Sequence, residues 1–272
     1  MNLKCKKKFT KISGKKPVIA LYNIILEREG VRILDNINWE VRSGEHWAVI
    51  GQNGAGKTLL LKILSTYLWP TSGSVEMLGE EFGKIELYKL RQNISWISSA
   101  LEQDMPQVQT VLEVVLSGYF STLRLFDAPP KHVVKRAKML LQLLGLGDHE
   151  RQLFATLSVG EKKKALIARA TLKKPRLLLL DEICAGLDPI ARRNYLDSVQ
   201  QLINKERISV LFVTHHLEEI FPEITHVLGL KQGRVIFSGR KEDQMNSENM
   251  VALFGDGVKL RRRGELYNLD VS

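Results

Sequence analysis

The sequence predicts an α/β fold: a central, mostly parallel sheet, an N-terminal antiparallel β subdomain and an inserted helical subdomain. Three observations carry this. Residues 177–180 are apolar on both faces, as in a strand covered by helices on either side, and 210–213 repeats the pattern. Segments of helical character follow the apolar runs at 46–50 and 177–180, so strands alternate with helices. Between residues 109 and 172 the strand signals stop and apolar residues recur at helical spacing instead.

Taken in order, residues 1–17 form a basic leader with Lys4, Lys6, Lys7, Lys8, Lys11, Lys15 and Lys16. It has no apolar centre, so it does not read as a secretory signal. Residues 18–27 and 32–41 read as strands; Gly30 and then Ser43-Gly44 mark turns. The stretch 46–50 is apolar and extended, and 59–64 is rich in good helix formers. A sharp stop at 69–73 precedes a strand at 74–78; residues 87–91 lead into a strand at 94–97. In the insert, Val133, Val134, Ala137, Leu140, Leu141 and Leu144 share one helical face, and Pro129-Pro130 separates two helices. Beyond it come a helix at 190–204 and a closing hairpin, 227–230 and 234–237, split by Lys231-Gln232-Gly233. The expected division is a core of 18–108 and 173–245, a helical subdomain of 109–172, and a C-terminal extension of 246–272.

Composition narrows the function classes. A hydrophobic fraction of 44% over 272 residues suffices for a real core. The net charge of +10 points to an anionic partner: a nucleotide, a nucleic acid or an anionic membrane face. No stretch approaches the roughly 18 apolar residues of a membrane helix, so a transport role requires a second chain to form the pore. Cys5 and Cys184 make no disulfide framework and fit a reducing cytosol.

Residues 51–58, Gly51-Gln52-Asn53-Gly54-Ala55-Gly56-Lys57-Thr58, fit the phosphate-loop pattern G-x-x-x-x-G-K-[ST]. The glycines let the backbone turn and approach an anion. Inward amides make a nest for phosphate oxygens, and the next helix adds its positive end. Lys57 supplies an ammonium and Thr58 a hydroxyl for Mg²⁺. The bland alternative is a Gly-rich turn that binds nothing. Leu157-Ser158-Val159-Gly160-Glu161 is locally a capping box. The run 177–180 delivers Asp181 and Glu182 to a strand's C-terminal edge, where open α/β sheets bind ligands. There Asp181 suits Mg²⁺ and Glu182 suits a base for an attacking water; a solvated strand end is the alternative. Asp188-Pro189 reads as a helix start, and His215 ends another buried strand. Cys184 reads as a small buried residue.

In this order the motifs resemble the nucleotide-binding subunit of ATP-binding cassette (ABC) proteins, a P-loop NTPase family, over residues 21–239. The resemblance implies ATP and Mg²⁺ as cofactors, with Gly51 to Thr58 as Walker A and 177–181 as Walker B. It implies Glu182 as catalytic glutamate and His215 as switch histidine, with 157–161 as signature and 185–188 as D-loop. Such subunits pair head to tail, so Ser158 and Gly160 of one copy would cap ATP held by the other. The implied partners are a second such ATPase, in a homodimer or a pair, and a polytopic permease. The chain itself would not span the membrane; it would be cytoplasmic, at the inner face of the cell membrane, and nucleic acid would not be its partner. A stand-alone cytosolic ABC ATPase acting on nucleic acid or translation is the alternative.

The chain departs from the family pattern at four places. Val159 and Glu161 replace a glycine and a glutamine of the signature. Ser99 stands where the family has a glutamine, with Gln103 just downstream as a possible substitute. Ser99 and Val159 loosely resemble a subgroup associated with molybdate uptake. No aromatic precedes Gly30 to stack on adenine; Arg28 would offer its guanidinium plane instead. Weak base selectivity is therefore expected: steady-state assays should give comparable GTP and ATP turnover, and strict ATP preference would contradict this reading.

Overall fold

The computed structural model describes residues 17–271. The basic leader lies outside the described residues, apart from Pro17. The first strands are β1 (Ile19–Arg28) and β2 (Val31–Val41), joined by a two-residue turn. Glu29 and Gly30 both have positive φ, 52° and 76°, the mirror-image turn that suits strand twist. Then follow β3 (Trp47–Ile50), α1 (Lys57–Leu64), β4 (Ser72–Met77) and the short β5 (Glu80–Glu81). Next are α2 (Leu87–Arg91), β6 (Ile94–Ser98) and α3 (Ser99–Asp104). The helical stretch contains α4 (Val111–Phe120), α5 (Lys131–Leu143) and α6 (Val159–Thr171). The chain continues through β7 (Leu177–Asp181), α7 (Pro189–Glu206), β8 (Ser209–Thr214), β9 (His226–Lys231) and β10 (Arg234–Arg240). It ends in α8 (Lys241–Gln244), α9 (Ser247–Phe254), β11 (Val258–Arg263) and β12 (Leu266–Val271).

Beside the two-stranded β11–β12 sheet, two larger sheets organise these elements. One is antiparallel, in the order β2-β1-β4-β5. The other is the mixed, mostly parallel central sheet, β10-β9-β3-β8-β7-β6, in which β10 alone runs antiparallel to its neighbour. The fold is therefore α/β, as the sequence predicts.

The central strands are apolar on both faces because each face meets a different core. Leu177 and Leu179 of β7 join the core shared with the antiparallel sheet and α1, alongside Leu60, Leu61, Ile37 and Trp39. Leu178 and Leu180 face the other way, toward Tyr195 and Val199 of α7 and toward Val114, Leu140 and Ile167 of the helical stretch. This is the two-residue period of a strand read across two layers. Each such leucine contributes about 1.5–3 kcal/mol by leaving water.

Register then fixes the functional edge. Ile50 lies opposite Thr214 across β3 and β8. Asp181 lies opposite Val213 on β8 and Ser98 on β6. Strands β3, β7 and β8 therefore end at nearly one level, and Gly51, Glu182 and His215 leave them at the same sheet edge.

The structure adds elements with no counterpart in the sequence reading. Ser99 begins α3. The stretch 246–272 contains α9 and the β11–β12 hairpin, where Val258, Leu260 and Leu269 pack partly on the core and Tyr267 is buried. The turn at Gln232-Gly233 also reaches the site. Gly233 donates from its N–H to Ala55 O (3.0 Å) and accepts from Asp35 N (2.9 Å). A Cβ there would sit 2.1 Å from Ile33 O, so only glycine lets the hairpin brace the phosphate loop against β2.

Candidate nucleotide and metal site

The phosphate loop leaves β3 and turns into α1 at Gly56, whose φ is 100°. A Cβ on Gly56 would also meet Leu34 Cδ2 at 2.7 Å. Lys57 opens α1 and is 5% exposed. Its ammonium donates to Gly51 O (2.8 Å) and Gln52 O (3.0 Å) across the loop. Burial lowers its pKa, while Glu182 and Asp181 act in the opposite sense. Gln52 Nε2 donates to Phe254 O (3.0 Å), tying the loop to the end of α9. A cavity of about 300 Å³ opens over the loop, lined by Ile33, Asn53, Gly56, Lys57, Thr58 and Glu182 among others.

Asp181 is the buried terminus of β7. Burial and the neighbouring Glu182 charge push its carboxyl up to about 6; the Thr58 hydroxyl and Lys57 pull the other way. Its Oδ1 is buried with no hydrogen-bond partner. An orphaned carboxylate oxygen next to a threonine hydroxyl is a hard-oxygen donor set, which suits Mg²⁺.

Glu182 has φ 48°, a left-handed conformation that costs a non-glycine residue about 1–2 kcal/mol. That turn places its carboxylate against His215: Oε1 lies 3.2 Å from His215 Nδ1 and 3.9 Å from Lys57 Nζ. His215 follows β8, with its ring tilted 4.0 Å from that of His216. Sequence reasoning missed the support behind it. The Thr214 hydroxyl donates to Glu219 Oε2 (2.5 Å) and accepts from His216 N (3.0 Å). Glu219 is buried, which raises its pKa, and it pairs with Arg192 Nε of α7 at 3.5 Å. Arg192 also holds Glu218 at 3.2 Å. The helix that follows the D-loop is thus wired to the histidine turn. The one available signal was a carboxylate four residues after His215 in an apolar setting.

Ser158 and Gly160 stand elsewhere. Ser158 caps α6, and Gly160 lies in its first turn beside Leu187, whose Cδ2 would be 3.9 Å from an added Cβ. Neither lines the cavity over the phosphate loop. Arg28 is exposed at the end of β1 and also lies outside that lining. Gln103 is exposed on α3, where its neighbour Glu102 pairs with the buried Lys163 of α6 at 3.6 Å. Asp188 caps α7 through Ile190 N and Ala191 N, both at 2.9 Å. Cys184 is buried, which pushes its thiol far above the ordinary range and leaves it inert.

A raised Asp181 pKa means that the folded protein binds this proton more tightly than the unfolded chain does. The resulting stability is present below about pH 4 and is lost as pH rises through about 6. Asp181→Asn should therefore stabilise the nucleotide-free protein at pH 7, by ~1–3 kcal/mol. Thermal melts should show the gain shrinking toward pH 4.

Comparison with known proteins identifies the family. Residues 34–185 match the ABC transporter family. The ABC transporter ATP-binding protein YlmA of Bacillus subtilis is 44% identical over 239 residues, covering 87% of this chain and 90% of the relative. The phosphonates import ATP-binding protein PhnC of Bdellovibrio bacteriovorus is 31% identical over 238 residues, covering 85% and 90%. The crystal structure of an ATP-binding cassette of an ABC transporter, in its ADP conformation, superposes with a TM-score of 0.74 at 24% identity, over 89% of this chain and 96% of that one. A phosphate loop, a paired Asp181 and Glu182 and a histidine turn at one sheet edge, with this match across the chain, place it in the family of ABC transporter ATP-binding proteins, which are ATPases.

Proposed function

We propose that this chain binds and hydrolyses MgATP at an interface shared with a second ABC ATPase, and that the cycle drives a separate polytopic permease at the inner face of the cell membrane. The observation that carries the chemistry is the contact of Glu182 with His215 and Lys57 at the cavity rim. Lys57 and the loop amides around Gly54 and Gly56 would hold the terminal phosphates. Thr58 and Asp181 would hold Mg²⁺, which when bound offsets negative charge on the phosphoryl oxygens. Glu182 would take the proton of the attacking water, with His215 orienting it. Ser158 and the Gly160 amide would close the site from the partner, because within one chain they lie outside the cavity.

The permease reading rests on two supports. Among the described residues no helix is long and apolar enough to cross a membrane, so transport needs another chain. Large aromatics are also exposed: Tyr67 at 66% and Trp69 at 52%, with Arg91 stacked over Tyr67 at 4.6 Å. The nucleic-acid alternative gains nothing from the arginine run of β11. Arg261 pairs with Asp270, while Arg262 sits over the Tyr267 ring and donates to Gly264 O.

Glu182→Gln should keep nucleotide affinity, slow hydrolysis by about 10²–10⁴-fold and accumulate an ATP-dependent dimer on size exclusion. Wild-type turnover would remove Glu182 from the base role. Purification of the tagged chain from detergent-solubilised membranes should bring down a polytopic protein at fixed stoichiometry; its consistent absence would favour a stand-alone ATPase.

A further inference from the structure

The tip of α6 carries a charge where the pairing just proposed needs a hydrogen-bond donor. A serine hydroxyl has one proton to give. Here Ser158 gives it to Glu161 Oε2, at 2.7 Å, and the same oxygen accepts Ser158 N–H at 2.8 Å. The Glu161 N–H donates back to Ser158 Oγ at 3.4 Å. These bonds hold the Glu161 carboxyl below its usual range, so it is ionised at neutral pH. Its other oxygen, Oε1, lies 3.4 Å from His149 Nε2. His149 ends the short turn Gly147–His149, and its Nδ1 is buried with no hydrogen-bond partner. Lys164 is the other charge that acts on this carboxylate.

We propose that Glu161 and His149 form an electrostatic gate on nucleotide-driven pairing. The Glu161 carboxylate competes with the γ-phosphate held by the partner copy for the Ser158 proton, and His149 weakens that competition by sharing the carboxylate's charge. The gate rests on the head-to-tail reading above. A glutamine at this place can keep both halves of the cap: its carbonyl oxygen accepts Ser158 N–H, and its backbone N–H still donates to Ser158 Oγ. A neutral amide oxygen holds the serine proton more weakly than a carboxylate does, so phosphate competes for it on better terms, and the like-charge repulsion is gone.

The test uses the full chain carrying Glu182→Gln, so that hydrolysis does not drain the complex. Sedimentation velocity gives the ATP concentration at which half the protein is dimeric. Adding Glu161→Gln should lower that concentration about tenfold, and His149→Ala should raise it about threefold, which correspond to about 1.4 and about 0.7 kcal/mol per site. The double variant should match Glu161→Gln alone, because His149 acts through the carboxylate. Binding of a fluorescent ATP analogue to the monomer should be unchanged, since neither residue lines the cavity. A purely structural cap predicts the opposite sign, weaker pairing in step with a lower melting temperature. If Glu161→Gln leaves the dimer unchanged or weaker, the gate is overturned while the pairing stands. If His149→Ala has no effect, or its effect persists without the carboxylate, the role of His149 is overturned. If the Glu182→Gln parent forms no dimer with ATP, the pairing itself fails and the gate falls with it.

Discussion

The common level at which three parallel strands end is the constraint on which the rest of the structure depends. β3, β7 and β8 are hydrogen-bonded in register, and each is buried on both faces. Neither face tolerates a slip, because a shift of one residue would exchange the two cores. A site built on such ends inherits their rigidity. Gly51, Glu182 and His215 are each the first residue past a strand that cannot slide. The loop amides, the carboxylates and the imidazole are positioned before any ligand arrives.

Charge at that edge is arranged under tension. Asp181 is ionised only against the cost of burial, and its orphaned oxygen has no internal donor. Lys57 supplies one compensating charge, but two of its three protons already go to loop carbonyls. Glu182 sits on strained backbone and leans on His215. These features leave the cleft short of positive charge near the carboxylates. On the proposed function, a divalent cation carried by a polyphosphate would supply that charge, while the polyphosphate's own charge would meet the loop amides and the helix end.

The sequence exposed much of this edge and hid its supports, for physical reasons. Runs such as 177–180 declare buried strands because neither face carries a polar residue. The phosphate loop is legible because glycine, lysine and threonine at that spacing serve one purpose. The short α3 has no periodicity to detect over six residues. β11 does alternate, with Val258 and Leu260 inward and Lys259 and Arg261 outward, but over six residues ending in an arginine run the alternation is too short to stand out. The positive φ at Glu182 leaves no composition signal, since glutamate rarely adopts it. The Glu219–Arg192 pair joins residues of different elements, so only tertiary structure reveals that a buried carboxylate stands behind Thr214. Ser158 and Gly160 carry a family resemblance, yet within a single chain they meet Glu161 and Leu187 rather than the phosphate loop.

On the proposed pairing, that separation makes one copy an incomplete machine. Glu182 is about one-third exposed, and the cavity over the loop is open. Solvent there screens the charges that the chemistry would use. Closing the cleft with a second helix end would exclude water and strengthen every interaction inside it. The elements that would feel closure are already joined within the chain. Gly160 lies against Leu187, Asp188 caps α7, and Arg192 of α7 holds Glu219 behind the histidine turn. Movement at the α6 tip thus has a packed, hydrogen-bonded route to His215 and Glu182. On the proposed pairing, the same contact that completes one active site would report to the other.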